Sequence, residues 1–98
     1  MIVSRLRYLA PLMFSMMLGC TSIPTQEMSD ARQAVQAARD ANAGQLAPEI
    51  MEGAETLLNR AKQALDAGAY NQARDEAVAA RREAIKARSE ALKAAPLP

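Results

Sequence analysis

Asp66-Ala67-Gly68-Ala69-Tyr70-Asn71-Gln72-Ala73 joins two helical patterns through a single glycine, and that junction decides the fold. Upstream, Pro48 suits the first position of a helix, where its missing N–H would be unpaired, and Glu49 and Glu52 favour the N-terminal dipole. At 100° per residue, Ile50, Ala54, Leu57, Ala61 and Ala64 gather with Met51, Leu58 and Leu65 into an apolar face about 140° wide. Downstream, Val78, Ile85 and Leu92 recur every seven residues beside a ridge of Ala73, Ala77, Ala80, Ala84, Ala87 and Ala91, until Pro96 stops the pattern. Helices over about 48–67 and 69–94, with only Gly68 between them, must fold back as an antiparallel hairpin. Small residues along the seam let the helix axes approach toward the low end of the ~8–10 Å range.

Outward from the hairpin, a first helix is expected over about 26–42. Met28, Val35 and Asn42 share a heptad position, with Ala31 and Ala38 on the same face and Arg32, Gln36, Arg39 and Asp40 opposite. Thr25 is placed as its N-cap, with Glu27 in the first turn, and Asn42-Ala43-Gly44-Gln45 reads as a turn with Gly44 as the stop. No alternating β-branched run occurs, so the class is all-α: an Ala-rich antiparallel hairpin with the first helix packed on it as a three-helix bundle. The alternative is an elongated hairpin whose first helix is loosely held or pairs with another subunit.

The composition agrees with a slender object. Of 98 residues, 22 are Ala, aromatics make up 3%, and there is no Trp and no His. A chain of this size has a marginal core even with bulky side chains. Without His it has no imidazole for a metal site, a Ser-His pair or a general base near neutral pH, so no catalytic or metal-binding residue is assigned and an enzyme is not expected.

The first twenty residues are different. Arg5 and Arg7 precede an apolar run from Tyr8 to Leu18, too short for a span that needs about 20 residues and suited to an export signal. Leu18-Gly19-Cys20 then places a small residue before the chain's one cysteine. This resembles the lipobox of bacterial lipoprotein signal peptides, in which cleavage between Gly19 and Cys20 leaves an acylated Cys20 as the new N-terminus. The family more often has Leu and then Ala or Ser at the positions held here by Met17 and Leu18. The resemblance implies a removed signal peptide at 1–19, a tether at 20–25, a helical domain at 26–95 and a tail at 96–98. It also implies a covalent lipid (palmitate among its chains) on Cys20, and no other cofactor. Two or more acyl chains hold a protein stably on a membrane without spanning it. Thr21, in place of Asp, points by the same resemblance to the outer membrane of the bacterial envelope, with the domain in the periplasm.

The helical part resembles an Ala-rich domain of unknown function found in small bacterial envelope lipoproteins, sometimes fused to OmpA-like peptidoglycan-binding domains. The residues that carry the likeness are Cys20, Ala47-Pro48, Leu65 to Tyr70, and Ala73, Ala77 and Ala80. Ala69 departs from it, where Asp is frequent, and leaves the third helix without its usual N-cap. No OmpA-like module follows, so that route to peptidoglycan is not expected. Gly68-Ala69-Tyr70-Asn71-Gln72-Ala73 also looks like the opening of a tetratricopeptide helix pair, but no second copy is found and a solenoid is excluded.

Charge narrows the partners. Without Arg5 and Arg7, ten basic residues face eleven acidic ones, and Tyr70 is the one aromatic after the leader, so nucleic acid is not a partner. Glu49, Glu52, Glu55, Asp75, Glu76, Glu83 and Glu90 are read as solvated helix faces. Arg74, Arg81 and Arg88 form a line along the third helix between the alanine ridge and Val78-Ile85-Leu92, inside the expected apolar arc. They either flank the seam and pair with acids of neighbouring helices or with water, or recognise an anionic partner such as a peptidoglycan carboxylate, a lipid headgroup or an acidic protein surface; a partner helix laid in a groove would also suit them. Tyr70 covers the hairpin end or joins that contact. The expected protein is a non-enzymatic, lipid-anchored periplasmic structural or adaptor module of the outer membrane. The alternatives are a regulatory or chaperone-like binder acting through the third helix, or a cell-wall-associated lipoprotein. Ala94-Ala95-Pro96-Leu97-Pro98 lacks the terminal Lys of covalent cell-wall tethers, so that last association would be non-covalent.

Overall fold

The structure, a computed structural model, describes residues 22–97. The leader, Gly19, Cys20 and the first part of the tether lie outside the described residues. Four helices and no strand occur among the described residues: α1 (Thr25–Asp40), α2 (Ala43–Leu46), α3 (Pro48–Asp66) and α4 (Tyr70–Ala94). The chain is an all-α bundle of three long helices in which α4 packs against both α3 and α1. Ion pairs fix the directions: Glu27 meets Arg74, and Arg39 meets Glu55. Thus α1 and α4 run parallel, and α3 runs antiparallel to both. The first helix is part of the bundle, burying Met28, Ala31, Val35 and Ala38.

The turn between α3 and α4 works as its residues require. Gly68 adopts a left-handed backbone (φ 76°) that a side chain would strain. Ala69 N–H bonds to the Ala64 carbonyl at 2.8 Å and Gly68 N–H to the Leu65 carbonyl at 3.0 Å, the pair that defines a Schellman cap. Ala69 gives α4 no side-chain cap.

The first connection departs from expectation in three ways. Thr25 is the first helical residue and does not cap; Pro24 precedes it, fully buried, and its carbonyl accepts from Met28 N–H at 3.0 Å. That bond closes the first helical turn on Pro24, so Thr25 lies inside the helix and not at its cap. At the other end α1 stops at Asp40, and Asn42, not Gly44, takes the left-handed conformation with φ 64°. Asn tolerates that region because its short polar side chain bonds locally, here to Gln45 at 3.1 Å. Gly44 is then absorbed into the extra turn α2, which buries Ala43 and ends at Ala47 just before Pro48.

The core is a heptad seam on all three long helices. Pro24, Met28, Ala31, Val35 and Ala38 face Ala47, Met51, Ala54, Leu58 and Ala61, with Ala73, Ala77, Ala80, Ala84, Ala87 and Ala91 between them. Large residues alternate with alanine on α1 and α3, whereas α4 contributes alanine alone. This corrects the expected third-helix arc, because Val78, Ile85 and Leu92 lie outside the core at 42%, 51% and 53% exposure. The reason is geometric. A helix covered on two sides needs a narrow ridge between its neighbours, and residues about 130° around the wheel from that ridge face out.

Overpacking the ridge is therefore predicted to cost more than trimming the aliphatic line. Ala84→Leu should lower stability by about 1–3 kcal/mol, and Ile85→Ala by about 0.5 kcal/mol or less, in urea unfolding. The reverse order would mean that α4 is rotated from this arrangement.

Candidate functional site

In register with its buried alanines, α4 is one seven-residue unit repeated three times: Ala73-Arg74-Asp75-Glu76-Ala77-Val78-Ala79, Ala80-Arg81-Arg82-Glu83-Ala84-Ile85-Lys86 and Ala87-Arg88-Ser89-Glu90-Ala91-Leu92-Lys93. Each unit sets Ala on the seam, Arg on the flank toward α1, Glu on the flank toward α3, and one aliphatic outside the Arg. The Glu line is the part that a reading by charge misses, since it assigns every acid to a solvated face. Glu49, Glu52, Asp75 and Glu90 are exposed, but Glu55, Glu76 and Glu83 are half-buried. Glu83 lies in a depression with Gly53, Leu57 and Arg60 of α3, and Glu76 in another with Arg60 and Gln63. One oxygen of Glu76, Oε2, is shielded without a hydrogen-bond partner. Glu76 and Glu83 share their seven-residue spacing with the arginines, which marks them as a flank of the seam, although Glu90 at the next repeat is exposed.

The three arginines do not act as one stripe. Arg74 is consumed inside the fold, with its side chain only 28% exposed. Its Nε donates to Glu27 Oε1 at 3.3 Å, its Nη1 to Asn71 Oδ1 at 3.1 Å, and its Nη2 to the Ser22 carbonyl at 2.7 Å and Ser22 Oγ at 3.3 Å. A planar fork with several donors suits such a junction, where one side chain must hold three chain segments. Arg74 thus takes the pairing role among its two expected ones. Arg81 and Arg88 are exposed, and among the described residues neither forms an ion pair or side-chain hydrogen bond. Tyr70 is half-buried at the start of α4, far along the helix from Arg88, and does not join them.

What Arg81 and Arg88 do accompany is the exposed aliphatic line. Ile85, Leu92, Arg88 and Ser89 of α4 form an open groove with Ala34 and Ala37 of α1. The small side chains of α1 at this level leave the groove floor low, and Val78 extends the apolar line toward Arg74. The groove offers apolar contacts at helical spacing and the guanidinium group of Arg88, with that of Arg81 one heptad earlier on the same flank of α4. Among the described residues no cluster of three or more His, Cys, Asp or Glu could hold a metal ion, and no helix is long and apolar enough to cross a membrane.

Comparison of the chain with protein-family models, with characterised proteins and with solved structures finds no match.

The different roles of the arginines are separable. Arg74→Gln should destabilise the bundle by about 1 kcal/mol, discounted for partial exposure, whereas Arg81→Gln and Arg88→Gln should each stay within about 0.5 kcal/mol. Thermal melts of the single variants provide the check; equal losses at all three positions would contradict the assignment.

Proposed function

We propose that this chain is a non-enzymatic lipoprotein of the bacterial outer membrane, a lipid-anchored helical adaptor facing the periplasm. The observation that carries the reading is the sequence Leu18-Gly19-Cys20, with the chain's one cysteine placed immediately before the folded bundle. Pro24 is already buried in that bundle, so the folded domain begins four residues after the cysteine. A covalent lipid on Cys20 is the one non-protein group the reading requires. The anchor holds the domain at the membrane, and the domain presents its α1–α4 groove to a partner.

A second reading is favoured by the groove itself: a binder of a specific envelope protein through α4. Arg81 and Arg88 sit seven residues apart beside Val78, Ile85 and Leu92, which matches an amphipathic helix carrying an apolar stripe and acidic residues on one side. A peptidoglycan carboxylate would satisfy the guanidinium groups but leave the aliphatic line uncovered, so the helical protein partner is the better fit.

Two measurements test these readings. Labelled palmitate should enter the wild-type protein in cells and be absent from Cys20→Ser; incorporation that survives the substitution would sink the anchor. A photocrosslinker at Ile85 or Leu92 in intact cells should capture a defined partner, with capture lost in the Arg81→Glu, Arg88→Glu double variant. Capture unaffected by the charge reversal would remove the arginines from the contact.

A further inference from the structure

We infer that the bundle stands on the membrane with its α3–α4 turn against the lipid headgroups and α4 rising away from them, held in that attitude by the Arg74 clamp on Ser22. The inference rests on the lipid anchor at Cys20. It adds which surface meets the bilayer, and why the domain does not swing on a loose tether.

Covalent reach supplies the first constraint. Cys20 and Ser22 are two residues apart, a span of at most about 7 Å. The polar layer on each side of a bilayer is of similar thickness, roughly 5–8 Å. Whatever surface of the bundle surrounds Ser22 is therefore brought to the headgroups once Cys20 is acylated.

The clamp defines that surface. The Arg74 guanidinium holds the Ser22 carbonyl at 2.7 Å and also reaches Asn71 at 3.1 Å, so Ser22 lies level with the first turn of α4. The α3–α4 turn at Ala67-Gly68-Ala69 is at this same end. On the other side of Ile23, Pro24 is fully buried and leads directly into α1. The chain is thus gripped at Ser22 and at Pro24.

The side chains at this end suit an interface. Ile23 is 57% exposed beside the anchor although its neighbour Pro24 is buried. Tyr70, half-buried at the start of α4, presents a ring with a polar tip, the kind of side chain favoured at headgroup depth. From here α4 extends 25 residues, about 38 Å at ~1.5 Å per residue. Leu92 then stands far from the bilayer, and the groove along Val78, Ile85 and Leu92 runs up the height of the bundle.

The test uses the full-length, acylated protein, in which Cys20 is blocked and an introduced cysteine is the one reactive thiol. Ala67→Cys at the turn and Ala94→Cys at the far end are labelled with a fluorophore. Each is reconstituted into phosphatidylethanolamine–phosphatidylglycerol vesicles containing a headgroup-linked quencher. The label at position 67 should lose most of its emission and the label at position 94 almost none. Arg74→Gln should erode the contrast. So should a Gly/Ser insertion of about eight residues between Cys20 and Ser22, with a reach of roughly 16 Å, which leaves the bundle untouched if Arg74→Gln unfolds it. Equal quenching at both positions would overturn the standing attitude, and a contrast that survives the insertion would overturn the tether constraint. Mass spectrometry of the same samples keeps the premises apart. A protein without acyl mass overturns the anchor and with it this inference, whereas an acylated protein with equal quenching overturns the attitude alone.

Discussion

Close approach along the alanine ridge of α4 is the constraint on which the rest of the molecule depends. Six alanines, from Ala73 to Ala91, are fully buried, and no larger residue of α4 joins them. Each contributes little apolar area at ~25 cal/mol per Å², so burial alone gives a thin core. What alanine supplies is the best intrinsic helix propensity and room for the knobs of two neighbouring helices, with dispersion contacts between nearby backbones. Met28, Val35, Met51 and Leu58 are the larger side chains that fill that room. The ridge therefore sets which flank of α4 faces α1, which faces α3, and which residues have nothing to cover them.

Charge is sorted by the same geometry. Because each seven-residue unit puts Arg on one side of the seam and Glu on the other, α4 offers cations to α1 and anions to α3 along its length. Glu27 and Arg60 are the residues of those helices that stand opposite, Glu27 in an ion pair with Arg74 and Arg60 in the depressions shared with Glu76 and Glu83. Partly exposed pairs of this kind add little stability each. Arg74 goes beyond this pattern because its fork also takes the backbone of Ser22, joining the α4 flank to the segment that leads to Cys20.

The helices and their order were legible because their signals are local. Pro48 opening α3, Gly68 as the left-handed stop, and Pro96 past the end of α4 each act through their own backbone. The seam of α1 was also legible, as Met28 and Val35 are its only large apolar residues apart from the buried Pro24. Hydropathy misled on α4, where ranking residues by size draws Val78, Ile85 and Leu92 inward. Which face a helix buries depends on how many neighbours it has, and α4 has two. Asn42 and Thr25 were missed for a related reason. Asn and Gly both tolerate the left-handed region, and Thr25 lies inside the helix because the first turn closes on Pro24. The Arg74 clamp joins residues 52 positions apart, beyond the reach of any local pattern.

The outward line of α4 follows from the same economy. Scattered exposed aliphatics need no explanation on a small protein. Here, however, α4 buries no aliphatic larger than alanine, and all three that it carries occupy the one outward position of each repeat. The core has no use for them, and exposed branched residues at that position give less helix propensity than alanine would. Interleaved with Arg81 and Arg88, they make a surface that is apolar along its centre and cationic along one edge. That is the face which the proposed adaptor would turn to its partner.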